Sequence, residues 1–178
     1  MPQSTNIAIR IATQSDAVCL SVLATQIFLD TYATHGINSD LANEALEQYS
    51  SEVFVARLGD PRIEIHVAES EGNLIGLIDI EFDSTCPIKN ISGPEVLRLY
   101  VQAPFQRRGV GRALLNYAEY RAQSLRAPSI WLTAWVGNAG ALAFYPCVGY
   151  KDAGVTQYVI NGKEYENRVF VKAIAGAA

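Results

Sequence analysis

The stretch Val96-Leu97-Arg98-Leu99-Tyr100-Val101-Gln102-Ala103-Pro104-Phe105-Gln106-Arg107-Arg108-Gly109-Val110-Gly111-Arg112 decides how this chain folds. Val96 to Val101 is apolar and predicts a strand. Pro104 follows it. Then Val110, Ala113, Leu114, Tyr117, Ala118 and Leu125 trace one face of a helix. A strand feeding a glycine-rich turn into a helix is physically an anion site. The first helical turn has unpaired N–H groups and the positive end of the dipole. Glycines let a phosphate approach those groups with no side chain in the way. Arg107, Arg108 and Arg112 put three arginines within six positions of an otherwise acidic chain. The same turn is also ordinary in a strand-to-helix connection, where glycine serves geometry alone.

Outward from this stretch the elements alternate. Ile7 to Ile11 predicts a short strand. Thr13 with Asp16 is a capping signal, after which Leu20, Leu23, Ala24 and Ile27 recur at helical spacing. Leu41 to Tyr49 and Glu52 to Leu58 predict two short helices, closed by Gly59-Asp60-Pro61. Ile63 to Glu69 and Leu74 to Phe82 predict strands around a turn at Glu71-Gly72-Asn73. Ile130 to Val136 is a further apolar strand, and Ala139 to Tyr145 a short helix stopped by Pro146. Val155 to Ile160 and Glu164 to Ile174 are strands around the hairpin signal Asn161-Gly162. This order implies an α/β domain with a mixed sheet. No linker divides the sequence, so a single domain over 1–178 is expected.

With 178 residues and 49% apolar content the chain can bury a real core. Lys+Arg total 14 against 18 Asp+Glu, a net charge of -4. A domain that coats nucleic acid is normally basic, so no nucleic-acid partner is expected. Cys19, Cys86 and Cys147 are odd in number with no CxxC pair, and the two histidines, His35 and His66, lie in different contexts. Neither a disulfide framework nor a metal centre is expected. Met1 to Arg10 shows no apolar leader and no run reaches membrane-spanning length. A cytoplasmic protein with no membrane partner is the expectation. Asn90-Ile91-Ser92 fits a glycosylation sequon and reads as chance. The small-residue tail Ala173 to Ala178 is expected to fray.

Two nucleotide readings fail on detail. A P-loop needs GxxxxGK[ST], which is missing from the sequence. A Rossmann fingerprint needs a third small residue where Leu114 stands, near the first strand and with a downstream carboxylate; Trp135 and Val136 occupy the downstream strand end instead. Gln106-x-x-Gly109-x-Gly111, by contrast, resembles the Q/R-x-x-G-x-G/A loop of the GNAT acetyltransferase superfamily. Asn138-x-x-Ala141-x-x-Phe144-Tyr145-x-x-x-Gly149-Tyr150 resembles a second block of the same family. The close resemblance covers roughly Glu95 to Gly154. The Glu-x-x-Arg-Leu-Tyr-Val stretch and Trp131-Leu132 resemble the branch containing bacterial polyamine acetyltransferases.

The resemblance implies a mixed, mostly antiparallel central sheet flanked by helices, with splayed central strands. It implies acetyl-CoA as cosubstrate, its pyrophosphate cradled by the amides of Arg107, Arg108, Gly109, Val110, Gly111 and Arg112. The pantetheine arm would pair with the edge of Leu99, Tyr100 and Val101 like an added strand. Asn138 would hydrogen-bond the cofactor arm, or cap the helix at Ala139, or both. Phe144 would pack on cofactor or core. Tyr145 would be the general acid for the departing thiolate, and Glu95 the base, with Glu81, Asp83 or an ordered water as substitutes. A backbone N–H such as that of Val101 would stabilise the oxyanion.

Cys147 has no histidine partner and is expected to be a buried structural thiol. Phe28, Tyr32 and His35 lie where the family often builds its acceptor wall; core packing explains Phe28 equally well. Trp131 and Trp135 share a strand face, with ordinary sheet packing expected. The resulting expectation is acetyl transfer to the primary amine of a small molecule or peptide by direct attack. Net negative charge suits a cationic acceptor such as a polyamine or amino sugar. Dimers are common in the family, which makes a homodimer an open expectation. The alternatives are a CoA-binding module without catalysis, or a nucleotide-dependent oxidoreductase.

Overall fold

The computed structural model describes residues 7–174. The readings of the chain before Ile7 and after Ile174 lie outside the described residues. The elements are β1 (Ile7–Ile11), α1 (Ala17–Tyr32), α2 (Ser39–Gln48), α3 (Ser51–Gly59), β2 (Ile63–Ser70), β3 (Asn73–Glu81), β4 (Glu95–Val101), α4 (Val110–Ser124), β5 (Ser129–Trp135), α5 (Ala139–Cys147), β6 (Lys151–Ile160) and β7 (Lys163–Ala173). Seven strands form one sheet in the order β1-β2-β3-β4-β5-β7-β6. β1 with β2, β5 with β7 and β6 with β7 are antiparallel, whereas β4 with β5 is parallel. The parallel pair β4 and β5 is joined through α4, because parallel neighbours need a crossover. The expected mixed, mostly antiparallel sheet flanked by helices is the architecture found.

The described residues cluster into two compact units. The first runs to Asp79 and adds Arg98–Tyr117. Its entry is set by the Thr13–Asp16 capping box, which holds a 3₁₀ turn before α1. Asp16 takes the Thr13 N–H at 2.7 Å and both Nη groups of Arg10 at 2.8 and 2.9 Å. These bonds, led by the one to Arg10, hold the Asp16 carboxyl down at about 2. Leu20, Leu23, Ala24, Ile27 and Phe28 of α1 are buried, as their spacing predicts. Ser50 and Asn38 cap α3 and α2 through their side-chain oxygens. β3 is buried from Ile75 to Ile80, which is why it reads as a continuous apolar run. Asp79 interrupts that run and is fully buried.

The second unit comprises Ile80–Leu97 and the chain from Ala118 on. β5 pairs with β7 from Ser129↔Ala173 to Trp135↔Asn167. The β6–β7 hairpin turns at Asn161-Gly162, with φ of 45° and 80°, the left-handed pair that the dipeptide predicts. Trp131 is buried against Cys86 and Val169, and its Nε1 donates to Gly93 O at 3.0 Å.

Three local expectations need correction. Tyr117 and Leu125 do not belong to the buried face of α4; that face is Val110, Leu114, Leu115, Ala118 and Ala122, and Leu125 falls after the helix ends. Tyr117 instead lays its ring against His66, with centroids 5.0 Å apart. α5 continues through Pro146 to Cys147, because a proline in the last turn removes a donor that the helix end can do without. Cys147 is exposed rather than a buried thiol.

Candidate active site

The glycine loop and the end of β4 from Arg98 on belong to the first unit, and the start of β4, Glu95 to Leu97, to the second. β4 meets β5 at only two register pairs, Glu95↔Trp131 and Val96↔Leu132. Leu99, Tyr100 and Val101 follow those pairs. On β4's other side the contact with β3 is unusually close: a Cβ built on Gly76 would lie 2.8 Å from Tyr100 O, and Gln102 N–H donates to Ile75 O at 3.0 Å. The backbone can approach this closely only because residue 76 has no side chain.

The loop itself is open. Gly109 has φ of +83°, and a Cβ there would meet nothing within 4 Å. Ala113 N–H donates to Gly109 O at 3.0 Å, the first bond of α4. The amides of Val110, Gly111 and Arg112 therefore lie in the first turn, ahead of the intrahelical ladder. Arg107, Arg108 and Arg112 are exposed around it. Arg107 also has positive φ, 58°, and the Arg108 guanidinium sits over the Phe105 ring at 5.7 Å. Gln106 does something the sequence does not reveal: its Nε2 donates to Val101 O at 2.9 Å, tying the loop back to the end of β4. An open turn, first-turn amides and exposed arginines fit the diphosphate of a CoA ester.

The remaining predicted residues lie in the second unit. Asn138 is the N-cap of α5, its Oδ1 accepting from Ala141 N–H at 3.0 Å. Phe144 is half-buried and meets Tyr145 edge-on at 5.4 Å. Tyr145 is buried among Phe144, Tyr150 and Phe170, with centroids 5.4 to 5.9 Å away. Burial pushes its hydroxyl well above the ordinary phenol range. The group thus keeps its proton at any working pH, as a proton donor must. The Glu95 carboxylate accepts from Ser84 Oγ at 2.6 Å. Glu81 is half-buried and Asp83 exposed.

A cluster in the first unit escaped sequence reading. Asp79 accepts from Arg57 Nε and Nη2 at 3.0 and 2.8 Å and from Arg98 Nη1 at 2.6 Å. Arg98 lies 5.1 Å over Tyr49 and 5.9 Å from the Phe54 centroid. The hydroxyls of Tyr49 and Tyr100 are hydrogen-bonded at 3.1 Å. Phe28 is buried between Tyr32 and Tyr49, at 5.0 and 4.9 Å. Burial works against the Arg98 charge, and Asp79 more than offsets it. Burial, then Tyr49, raises the Tyr100 hydroxyl. The available signal was Asp79 itself, a lone carboxylate within an apolar strand. His35 is exposed, beside Thr34. Trp135 meets Tyr165 edge-on at 6.1 Å.

Among the described residues no cluster of three metal-ligating side chains occurs, and no helix is long and apolar enough to cross a membrane.

Comparison with known proteins agrees with the loop and the sheet. The profile of the acetyltransferase (GNAT) family matches residues 27–150. The chain belongs to this family of acetyl-CoA-dependent N-acetyltransferases. An uncharacterized N-acetyltransferase in the pepI 3′ region of Lactobacillus delbrueckii subsp. lactis is 21% identical over 153 residues, covering 85% of this chain and 88% of that protein. The aminoalkylphosphonate N-acetyltransferase of Salmonella typhimurium is 27% identical over 125 residues, covering 70% and 80%. In fold the chain resembles the PaiA N-acetyltransferase from Thermoplasma acidophilum in complex with coenzyme A, with a TM-score of 0.76 at 22% identity over 94% of this chain and 99% of that one.

Proposed function

We propose that the chain, acting as one acetyltransferase domain, moves acetyl from acetyl-CoA to the primary amine of a small molecule or peptide by direct attack. The observation that carries this reading is the open Gly109 turn at the start of α4, with its left-handed φ and clear space where a side chain would stand. The first-turn amides and Arg107, Arg108 and Arg112 hold the diphosphate. The edge of Leu99, Tyr100 and Val101 takes the pantetheine amides; Val101 O does so in addition to its bond from Gln106. Asn138 orients the cofactor arm through its amide nitrogen while its oxygen caps α5. Bound acetyl-CoA supplies the activated thioester. Glu95, held in place by Ser84, takes the proton of the incoming amine. Val101 N–H steadies the developing oxyanion. Tyr145 delivers a proton to the departing sulfur, and its raised pKa keeps that proton in place until then.

An amine-panel assay following free CoA release tests the reading. Turnover that depends on both acetyl-CoA and an amine is expected. CoA is also expected to raise the melting temperature and NADH to leave it unchanged. Stabilisation by CoA with no turnover on any amine would instead identify a CoA-binding module. Stabilisation by NADH would point to an oxidoreductase. The reading carries with it a cytoplasmic location and a homodimer, the latter open to analytical ultracentrifugation.

A further inference from the structure

Building on that reading, we infer that Lys172 and Glu119 are positioning residues, which set the Tyr145 hydroxyl against the departing sulfur by locking the end of α5. Tyr145 stands in the last turn of α5, a helix of 9 residues. That turn is weakened by Pro146, which has no N–H to give to the carbonyl of Leu142. A Schellman motif closes it instead. Gly149, with φ of +92°, donates its N–H to Pro146 O, and Tyr150 N–H donates to Tyr145 O, both at 3.1 Å. The rings of Tyr145 and Tyr150 meet with centroids 5.9 Å apart, the side-chain contact that accompanies such a motif. The proposed acid is thus one of the residues that make the helix end.

Lys172 meets each part of this motif from β7. Its Nζ donates to the carbonyl of Val148, the C-cap of α5, at 3.1 Å and lies 5.6 Å from the Tyr150 ring centroid. A Cβ built on Gly149 would stand 3.5 Å from Lys172 Cε, so the aliphatic stem runs along the turn. An ammonium at this end also suits the negative pole of the helix dipole. The same ammonium donates to Glu119 Oε2 of α4 at 2.7 Å, which fixes where it stands. Phe170, two residues earlier and so on the same face of β7, lies against the Tyr145 ring at 5.4 Å. One face of β7 therefore holds both the ring of the acid and the helix end that carries it. All of these residues belong to the second unit. Proton transfer needs the donor within hydrogen-bond reach of its target, so loosening this end costs rate and leaves cofactor affinity alone.

The experiment is a double-mutant cycle on the full chain, read as the single-turnover rate of CoA release from acetyl-CoA with the panel amine turned over fastest. Lys172→Met keeps an unbranched stem beside Gly149 and Tyr150 and removes the ammonium. It is expected to lower the rate by about 10-fold or more, the scale of a small misplacement of a reacting group, and to leave acetyl-CoA affinity by calorimetry unchanged. In a Tyr145→Phe background the same change is expected to alter the rate by less than about 2-fold, because the hydroxyl it positions is already gone. A merely structural role would slow both backgrounds alike. Glu119→Gln keeps the shape and removes the anchoring charge; the same pattern with a smaller loss is expected, and it answers the question if Lys172→Met folds poorly. A wild-type rate in either single variant, or equal losses in the two backgrounds, overturns the inference and leaves acetyl transfer and the role of Tyr145 standing. A Tyr145→Phe chain as fast as the wild type, or no turnover of any amine while CoA still binds, overturns the underlying reading, and the inference with it.

Discussion

Two tyrosine clusters, one in each unit, show how environment turns one side chain to different ends. In the first, Tyr49 and Tyr100 share a hydrogen bond beside Arg98, whose charge is anchored by Asp79. In the second, Tyr145 sits among Phe144, Tyr150 and Phe170, and burial is the cause of its raised pKa. The first cluster is a buried polar network, in which each member depends on its partners being present. The second is an aromatic nest in which burial keeps the phenol in its protonated form. Removing a group from the first should therefore act on stability, and removing the Tyr145 hydroxyl should act on rate.

Tyr145→Phe offers the largest effect and the sharpest test of this contrast. Packing is kept, so the melting temperature and acetyl-CoA affinity should change little. The single-turnover rate should fall by about 10²–10⁴-fold, the usual worth of general acid catalysis. A wild-type single-turnover rate across several pH values would remove Tyr145 from the mechanism and make the second cluster merely structural.

Asp79→Ala probes the first cluster. Two guanidiniums lose their shared carboxylate in a buried setting, and a loss of about 3–5 kcal/mol is expected in denaturant unfolding. A change below about 1 kcal/mol would show that water reaches the arginines freely and that the cluster is not the buried network described.

Gly109→Val comes next. At φ of +83° valine is strained, and its methyls occupy the space open to a phosphate. CoA affinity by calorimetry should fall about 10–100-fold, the equivalent of about 1–3 kcal/mol, while β-sheet content persists. Unchanged affinity would sever the loop from the cofactor.

The smallest effect concerns Asp16, which lies outside both clusters and calibrates them. Its carboxyl is held near 2, below the usual value for aspartate of about 3.9. A depressed pKa stabilises the fold above the ordinary value, and that contribution is lost as pH falls through the folded one. Asp16→Asn should cost about 1 kcal/mol at neutral pH. The gap to the wild type should hold down to about pH 4 and close towards pH 2. A gap independent of pH would mean that the Arg10 pair contributes little.

Much of this protein was legible in its sequence because the signals were local. A left-handed pair at Asn161-Gly162 needs only its own φ preferences to turn a hairpin. Thr13 and Asp16 cap one another across three positions. The glycines after β4 open a turn whatever surrounds them, and the spacing of Asn138 places it at a helix start. Failures came where a side-chain contact or a terminating turn overrode the local pattern. Gln106 reads as part of an anion loop, yet its side chain bonds Val101 O. Leu125 keeps helical spacing and its N–H still donates to Arg121 O at 3.1 Å, but it lies past the end of α4, which the positive φ of Arg126, 55°, closes behind it.

What the sequence by itself determined is the order of elements, the mixed sheet, the glycine loop and the resemblance to acetyltransferases. Each follows from period, turn chemistry or spacing along a short segment. The tertiary structure alone decided that Arg57, Asp79 and Arg98 form one charge cluster, that the hydroxyls of Tyr49 and Tyr100 are hydrogen-bonded, and that Gly76 lies against Tyr100 O. These partners come from α3, β3 and β4 and from Tyr49, which follows α2. Their meeting depends on how strands pair and helices pack, and no local preference of the chain encodes it.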